Sequence, residues 1–298
     1  MASRRLQRAL HSEHTAGWAF AAPGVALIAL FGLVPIVWSF VLSFQESILL
    51  APERPFVGLD NYERLRDDPL FEESVRHTLT YTALFVPISV GGGLLIAVAL
   101  NRQIRFIRLY RTAVFVPVVA STIATSIIFL NLFDPNFGLA NWALGGIGLG
   151  PNGNLQDPDQ ALNAIVVLTT WGWIGFNVIV YLAALQGVPH ELHEAAAIDG
   201  ATRWQAFRRV TIPLLGPTTL FLAVWATING LQLFDEVYFL TKGGPLSSTY
   251  VMVYYVFDLA FHKGVAGYAT AIAYVLFLAI LLLTAVQLWL GRRMVHYS

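Results

Sequence analysis

The chain has 298 residues, 56% of them hydrophobic and 12% charged, with a mean hydropathy of +0.63. An ordinary soluble domain carries about 25% charged residues, so this composition excludes one large water-soluble core and points to a multi-pass membrane protein. Net charge is zero and cysteine is absent, which removes a global field for nucleic acid, a disulfide framework, thiolate chemistry and cysteine-ligated zinc.

The charged start MASRRLQRAL precedes an apolar run from Gly17 to Phe44 of about 28 residues. A signal-peptide core has about 7–15 residues, whereas a ~30 Å hydrocarbon layer takes about 20 helical residues. The reading is a retained first span, with 1–16 as a cytoplasmic segment and 17–298 as one transmembrane domain. Ile48–Val75 then holds seven acids against three arginines. Phe56, Leu59, Tyr62 and Leu65 recur there at helical spacing, which predicts a small ordered cap. Thr78–Leu100 and Leu109–Phe133 are the second and third spans. Pro23, Pro35, Pro87, Gly91-Gly92-Gly93 and Pro117 lie within the first three spans, as packing and kink residues or as hinges. Asp134–Asn163 is rich in Gly, Asn, Asp and Pro and reads as a loop. Its apolar patch Gly138–Leu149 is too short to cross and suits the interface.

Ala164–Leu185, Leu214–Phe234 and Tyr268–Leu290 complete six spans, all-α. Span four carries Trp171, Trp173 and Asn177 beside Thr169 and Thr170; span five carries Asn229, Gln232 and Phe234 with Asp235 following. Two readings stand for the amides: a lining for a polar solute, or hydrogen bonds between helices. The tryptophans read as solute platforms or as packing and interfacial residues. Ser247–His262, between spans five and six, is apolar but has no room to cross and return. It predicts an amphipathic helix on the outer face.

Basic residues set the orientation. Arg4, Arg5, Arg8, Arg102, Arg105, Arg108, Arg111, Arg203, Arg208, Arg209, Arg292 and Arg293 share one side. Arg54, Arg64, Arg66, Arg76, Lys242 and Lys263 share the other, half as many. The positive-inside rule then predicts both termini in the cytoplasm.

No energy source is legible within the chain. A phosphate-binding loop needs Gly-Lys-Ser/Thr, and the only lysines, Lys242 and Lys263, are each followed by glycine. An ion-coupled carrier buries an ionisable group in the bilayer; the six segments show none, with Asp235 and Glu236 expected at the outer end of span five. His190 and His193 lie three apart on one helix face, read as solvated surface groups rather than a metal pair.

The stretch about 188–213, on the cytoplasmic side between spans four and five, is the one charged helical segment. Pro189 suits a first turn. Glu191 and Glu194 suit the positive half of a short helix, and Ala195, Ala196 and Ala197 are strong helix formers with little bulk. Gly200 can end that helix in a left-handed conformation. Thr202 and Gln205 match a capping box for a second helix, with Trp204, Phe207, Val210 and Thr211 as its apolar face. Pro213 kinks or restarts the chain into span five. A helix, glycine turn and helix under the membrane would let a soluble partner push on the spans. Asp199 and the two glutamates would meet its cationic groups.

The order Glu194-Ala195-Ala196, three residues, Gly200, nine residues, Val210-Thr211-Ile212-Pro213 resembles the EAA loop of ABC-importer permeases. FVGLDNYERL (56–65), RTAVFVPVV (111–119), VPHELHEAAAIDGA (188–201) and FDEVYFLTKGGP (234–245) look like its sugar branch, the maltose- and glycerol-3-phosphate-type first permease. The resemblance runs along nearly the whole chain. It implies a type I ABC-importer permease fold in the bacterial inner membrane. Pro189 to Asp199 would be a coupling helix seated on an ATPase dimer that binds the ATP and Mg; this chain would hold no cofactor. A second permease subunit would complete the pore. An extracytoplasmic solute-binding protein would deliver a disaccharide, oligosaccharide or glycerophospho-compound. Lipid is the remaining partner and nucleic acid is none. The long folded outer-loop insertion of some maltose-type permeases is missing, so docking would use shorter loops. The alternative is a self-contained secondary carrier or channel.

Overall fold

A computed structural model describes residues 13–48, 53–102, 105–134, 137–139, 142–143 and 154–294. Arg4, Arg5, Arg8 and most of the patch Gly138–Leu149 lie outside the described residues, as do the side chains of Arg292 and Arg293. Among the described residues the elements are helical, joined by two isolated β-bridges, Gln45 with Phe56 and Ile48 with Val265.

Among the described residues four unbroken helices are long and apolar enough to cross a bilayer: Gly17–Leu42, Pro69–Leu100, Ala161–Gln186 and Ala266–Gly291. Two further pairs qualify only together, and both are bent. Ile107–Val119 meets Thr122–Leu132 at 101°, and Arg203–Leu214 meets Gly216–Leu240 at 64°. With each pair as one span the total is the expected six, but the third and fifth are broken. Pro117 lies in the last turn of α5 (Ile107–Val119); Ala120 and Ser121 are extended, and α6 (Thr122–Leu132) restarts in a new direction. In the fifth span the bend falls at Leu215 and not at the expected Pro213. A π turn, Phe207–Thr211, ends two residues before Pro213 and widens the helix to admit the ring. The first span repeats the device: between α1 (Glu13–Ile28) and α2 (Val34–Leu42), a π turn, Ala29–Leu33, ends two residues before Pro35.

By contacts the chain divides into Met1–Arg66 with Leu259–Tyr274, and Asp67–Asp258 with Val275–Ser298. In the first unit α3 (Asp60–Arg64) realises part of the predicted cap. Leu65 is buried there, while Phe56 and Leu59 are exposed. The Asn61 amide donates to the Ser43 and Gln45 carbonyls at 2.9 and 3.0 Å, and the Tyr62 hydroxyl to Ser43 Oγ at 2.8 Å. The Arg64 guanidinium lies 4.4 Å over the Tyr268 ring.

The second unit is built on α4 (Pro69–Leu100) and α7 (Ala161–Gln186). Asp68 caps α4 through Leu70 N and Phe71 N, so this helix begins well before the expected Thr78. Backbones approach closely where side chains vanish. A Cβ on Gly93 would lie 2.6 Å from Asn177 Cβ, and one on Gly175 only 2.2 Å from the Val114 carbonyl of α5. Tyr81 donates to Thr169 at 2.8 Å across the α4–α7 seam. The glycine run of span two therefore includes packing positions at Gly92 and Gly93, whereas Gly91 faces open space. After α7 come α8 (His190–Ile198), α9 (Arg203–Ala206), α10 (Ile212–Leu214), α11 (Gly216–Leu231) and α12 (Asp235–Leu240). Tyr181 of α7 donates to Thr219 of α11 at 3.1 Å.

The Ser247–His262 segment forms α13 (Met252–Phe257) and a π turn, Asp258–His262. It is seated on protein: Met252 N donates to Thr78 Oγ1 at 2.9 Å, and Tyr254 and Tyr255 are buried. The last helix, α14, is Ala266–Met294. Its Gln287 amide donates to Thr227 of α11 at 2.8 Å.

Candidate functional site: a lever and a cavity

The predicted helix, glycine turn and second helix are present as α8, its turn and α9. Pro189 (φ −58, ψ 132) is the N-cap residue, one position before the first turn assigned to it. The helix ends through two bonds, Gly200 N to the Ala197 carbonyl at 3.1 Å and Ala201 N to the Ala196 carbonyl at 2.9 Å. That closure needs a left-handed residue, and Gly200 has φ +77°. The capping box forms as predicted: Gln205 N donates to Thr202 Oγ1 at 3.3 Å and Thr202 N to Gln205 Oε1 at 2.8 Å. Glu191, Glu194, Ala195, Ala197, Asp199 and Gly200 are exposed and Ala196 is half-buried. Glu194 meets His190 Nδ1 at 3.0 Å. Ile198 is 87% exposed and Trp204 66%.

The proposed solute residues converge less completely. Trp173, Asn229, Gln232, Phe234 and Asp235 border an open cavity of about 510 Å³ with Tyr81, Phe85, Thr122 and Glu236. A second lobe of about 490 Å³ is bordered by Trp171, Ala120, Thr122, Trp173 and Glu236 among others. Asn177 lines neither lobe; it is buried against Gly93. Among the described residues Asn229 does not bond between helices either: its amide donates to the Trp225 carbonyl of its own helix at 2.8 Å. Phe234 stacks among Tyr238, Tyr254 and Phe257, with ring centroids 5.2–6.4 Å apart.

Glu236, expected only as an outer-end residue of span five, borders both lobes. Helix α11 stops at Leu231, residues 232–234 leave helical geometry, and α12 packs against α6, which brings its first turn to the cavity. Tyr81, Phe85 and Thr122 are lining residues that the sequence does not single out. Their aromatic and hydroxyl character suits a lining, but nothing in the spacing of two separate spans brings them together.

The broken third span gives the cavity its chemistry. Ala120 lies in the extended break itself and borders the second lobe. Non-helical backbone at membrane depth is tolerated only where protein or a water-filled cavity satisfies it. The break and the polar lining thus border the same cavity.

Residues 89–296 match the family described as binding-protein-dependent transport system inner membrane component. The chain is 39% identical over 282 residues to the lactose transport system permease protein LacF of Rhizobium radiobacter, covering 93% of this chain and 94% of that one. It is 35% identical over 286 residues to the arabinooligosaccharides transport system permease protein AraP of Bacillus subtilis, covering 94% and 90%. With the sn-glycerol-3-phosphate transport system permease protein UgpA of Brucella abortus it shares 32% over 280 residues, covering 93% and 94%. Among solved structures, a chain of a bacterial ABC transporter importing the acidic polysaccharide alginate has a TM-score of 0.86 at 24% identity, covering 98% of this chain and all of that one. The fold is that of an ABC-importer permease, and the chain belongs to the family of inner-membrane components of binding-protein-dependent transport systems.

Proposed function

We propose that this permease forms half of the path for a sugar or sugar-like solute, and that α8 transmits the work of an ATPase dimer to the spans. The exposed lever carries the reading: an eleven-residue stretch from Pro189 to Asp199, closed by left-handed Gly200, stands clear with Ile198 outward. Glu191, Glu194 and Asp199 would meet the ATPase by charge, and Ala195, Ala196 and Ala197 would let it approach. ATP and Mg belong to that partner; this chain performs no catalytic step. Both termini and the lever would be cytoplasmic, a second permease would supply the facing wall, and a solute-binding protein would dock outside. Lactose, arabino-oligosaccharide and glycerol-phosphate relatives favour a polyhydroxylated solute, and the amide and aromatic wall suits one.

The test is uptake by the assembled complex in proteoliposomes. Glu194→Lys inverts the contact charge. Gly200→Val places a β-branched side chain at positive φ, which disfavours it strongly. Gly200→Asp is a milder version, because a Cβ there meets no atom within 4 Å and only the backbone is strained. Expected is loss of uptake for the first two with the chain still in the membrane. Wild-type uptake in both would end the coupling assignment. Uptake by this chain alone on an ion gradient would favour the carrier alternative, to which Glu236 in the cavity lends some support.

A further inference from the structure

The cavity wall has a sign. Among its bordering residues no lysine, arginine or histidine occurs, while Asp235 borders one lobe and Glu236 borders both. Neither carboxylate has an ion-pair partner among the described residues. Asn229, Gln232, Trp173 and Phe234 stand beside them. Amides bond hydroxyls, rings stack on sugar faces, and carboxyl groups bond hydroxyls. All of that serves a neutral polyol. A carboxylate or phosphate on the solute would instead face the carboxyl groups of Asp235 and Glu236 with no cation on the same wall to offset them.

We infer that Glu236, with Asp235, makes this wall a charge filter, so that the permease passes neutral hydroxylated solutes and turns away anionic ones. The inference rests on the sugar-import reading and narrows it. It separates this chain from the similar importer of an acidic polysaccharide and from the glycerol-3-phosphate relative, whose solutes are anions. A solute moving between the lobes passes Glu236, whatever the second permease contributes opposite.

The absence of cysteine makes the potential measurable. Gln232→Cys puts one thiol on the cavity wall of the assembled complex. Its modification by the trimethylammonioethyl and sulfonatoethyl methanethiosulfonates, one cationic and one anionic, is followed on this chain by mass. The two reagents differ by two charges, so their rate ratio doubles the effect of any change in potential. Adding Glu236→Gln should lower the cation-to-anion ratio about tenfold, and Asp235→Asn should lower it less. Asn229→Cys is the second reporter, and Asp235→Asn carries the test if Glu236→Gln fails to assemble. Ratios unchanged by neutralisation would overturn the filter, and so would thiols that react with neither reagent at both positions. A charge-dependent ratio in a complex that takes up no neutral sugar would instead refute the sugar reading and leave the filter standing.

Discussion

Gly175 holds α7 against α5 by having no side chain. The missing Cβ would lie 2.2 Å from the Val114 carbonyl and 2.7 Å from Val118 Cγ2, so even alanine forces the helices apart. Gly175→Ala should destabilise the chain by about 1–3 kcal/mol, as overpacking does. Gly172, with nothing within 4 Å of its Cβ position, is the contrast; Gly172→Ala should be neutral or stabilising by up to about 1 kcal/mol through helix propensity. Thermal unfolding in detergent reads both. At this scale local chemistry was legible: the Gly200 turn and the Thr202–Gln205 box depend on neighbours a few residues away. Asn177 was not. Its amide suited a pore as well as a seam, and only the opposing Gly93, on another helix two spans earlier in the chain, decides for the seam.

Among the elements, Asp68 joins two. One carboxylate oxygen caps α4, and the other accepts from the Tyr255 hydroxyl of α13 at 2.5 Å. Asp68→Ala should therefore cost about 0.5–2 kcal/mol for the cap and loosen α13 as well, seen as faster hydrogen exchange over 252–258. Tyr255→Phe, which spares the cap, should loosen α13 alone. Nearby, burial pushes the Tyr250 phenol well above the ordinary tyrosine range, aided by its hydrogen bond to the Asp258 carboxylate at 2.5 Å and by that group's charge. A raised phenol favours the folded state fully below about pH 10 and loses that contribution as pH climbs through the folded value. Protection of 252–258, corrected for intrinsic exchange, should fall above about pH 10, and Tyr250→Phe should flatten that fall. Six apolar runs and their order were readable because hydropathy sums along the chain. The right-angled break of the third and the displaced bend of the fifth were not. Hydropathy is blind to direction, and the π turns that absorb Pro35 and Pro213 depend on how a helix accommodates a ring.

The whole molecule shows which half of the site a sequence can carry. The segment around Gly200 is contiguous, so its helix, turn and capped second helix were legible as a motif. The cavity draws on α4, α5, α6, α7, α11 and α12, and Glu236 reaches it only because α12 packs on α6. If the lever works as proposed, the complex purified through this chain should retain an ATPase, and mild removal of the ATPase should raise protease access around Ile198.

The 101° break carries a cost for the cell that makes it. If a second permease supplies the facing wall as proposed, the unpaired chain leaves its cavity open on one side within the bilayer across which a cell stores a proton gradient. Stoichiometric synthesis with the facing subunit then becomes a bioenergetic necessity: the unpaired chain should either be degraded or depolarise vesicles loaded with a potential-sensitive dye, and adding back the second subunit should restore their charge.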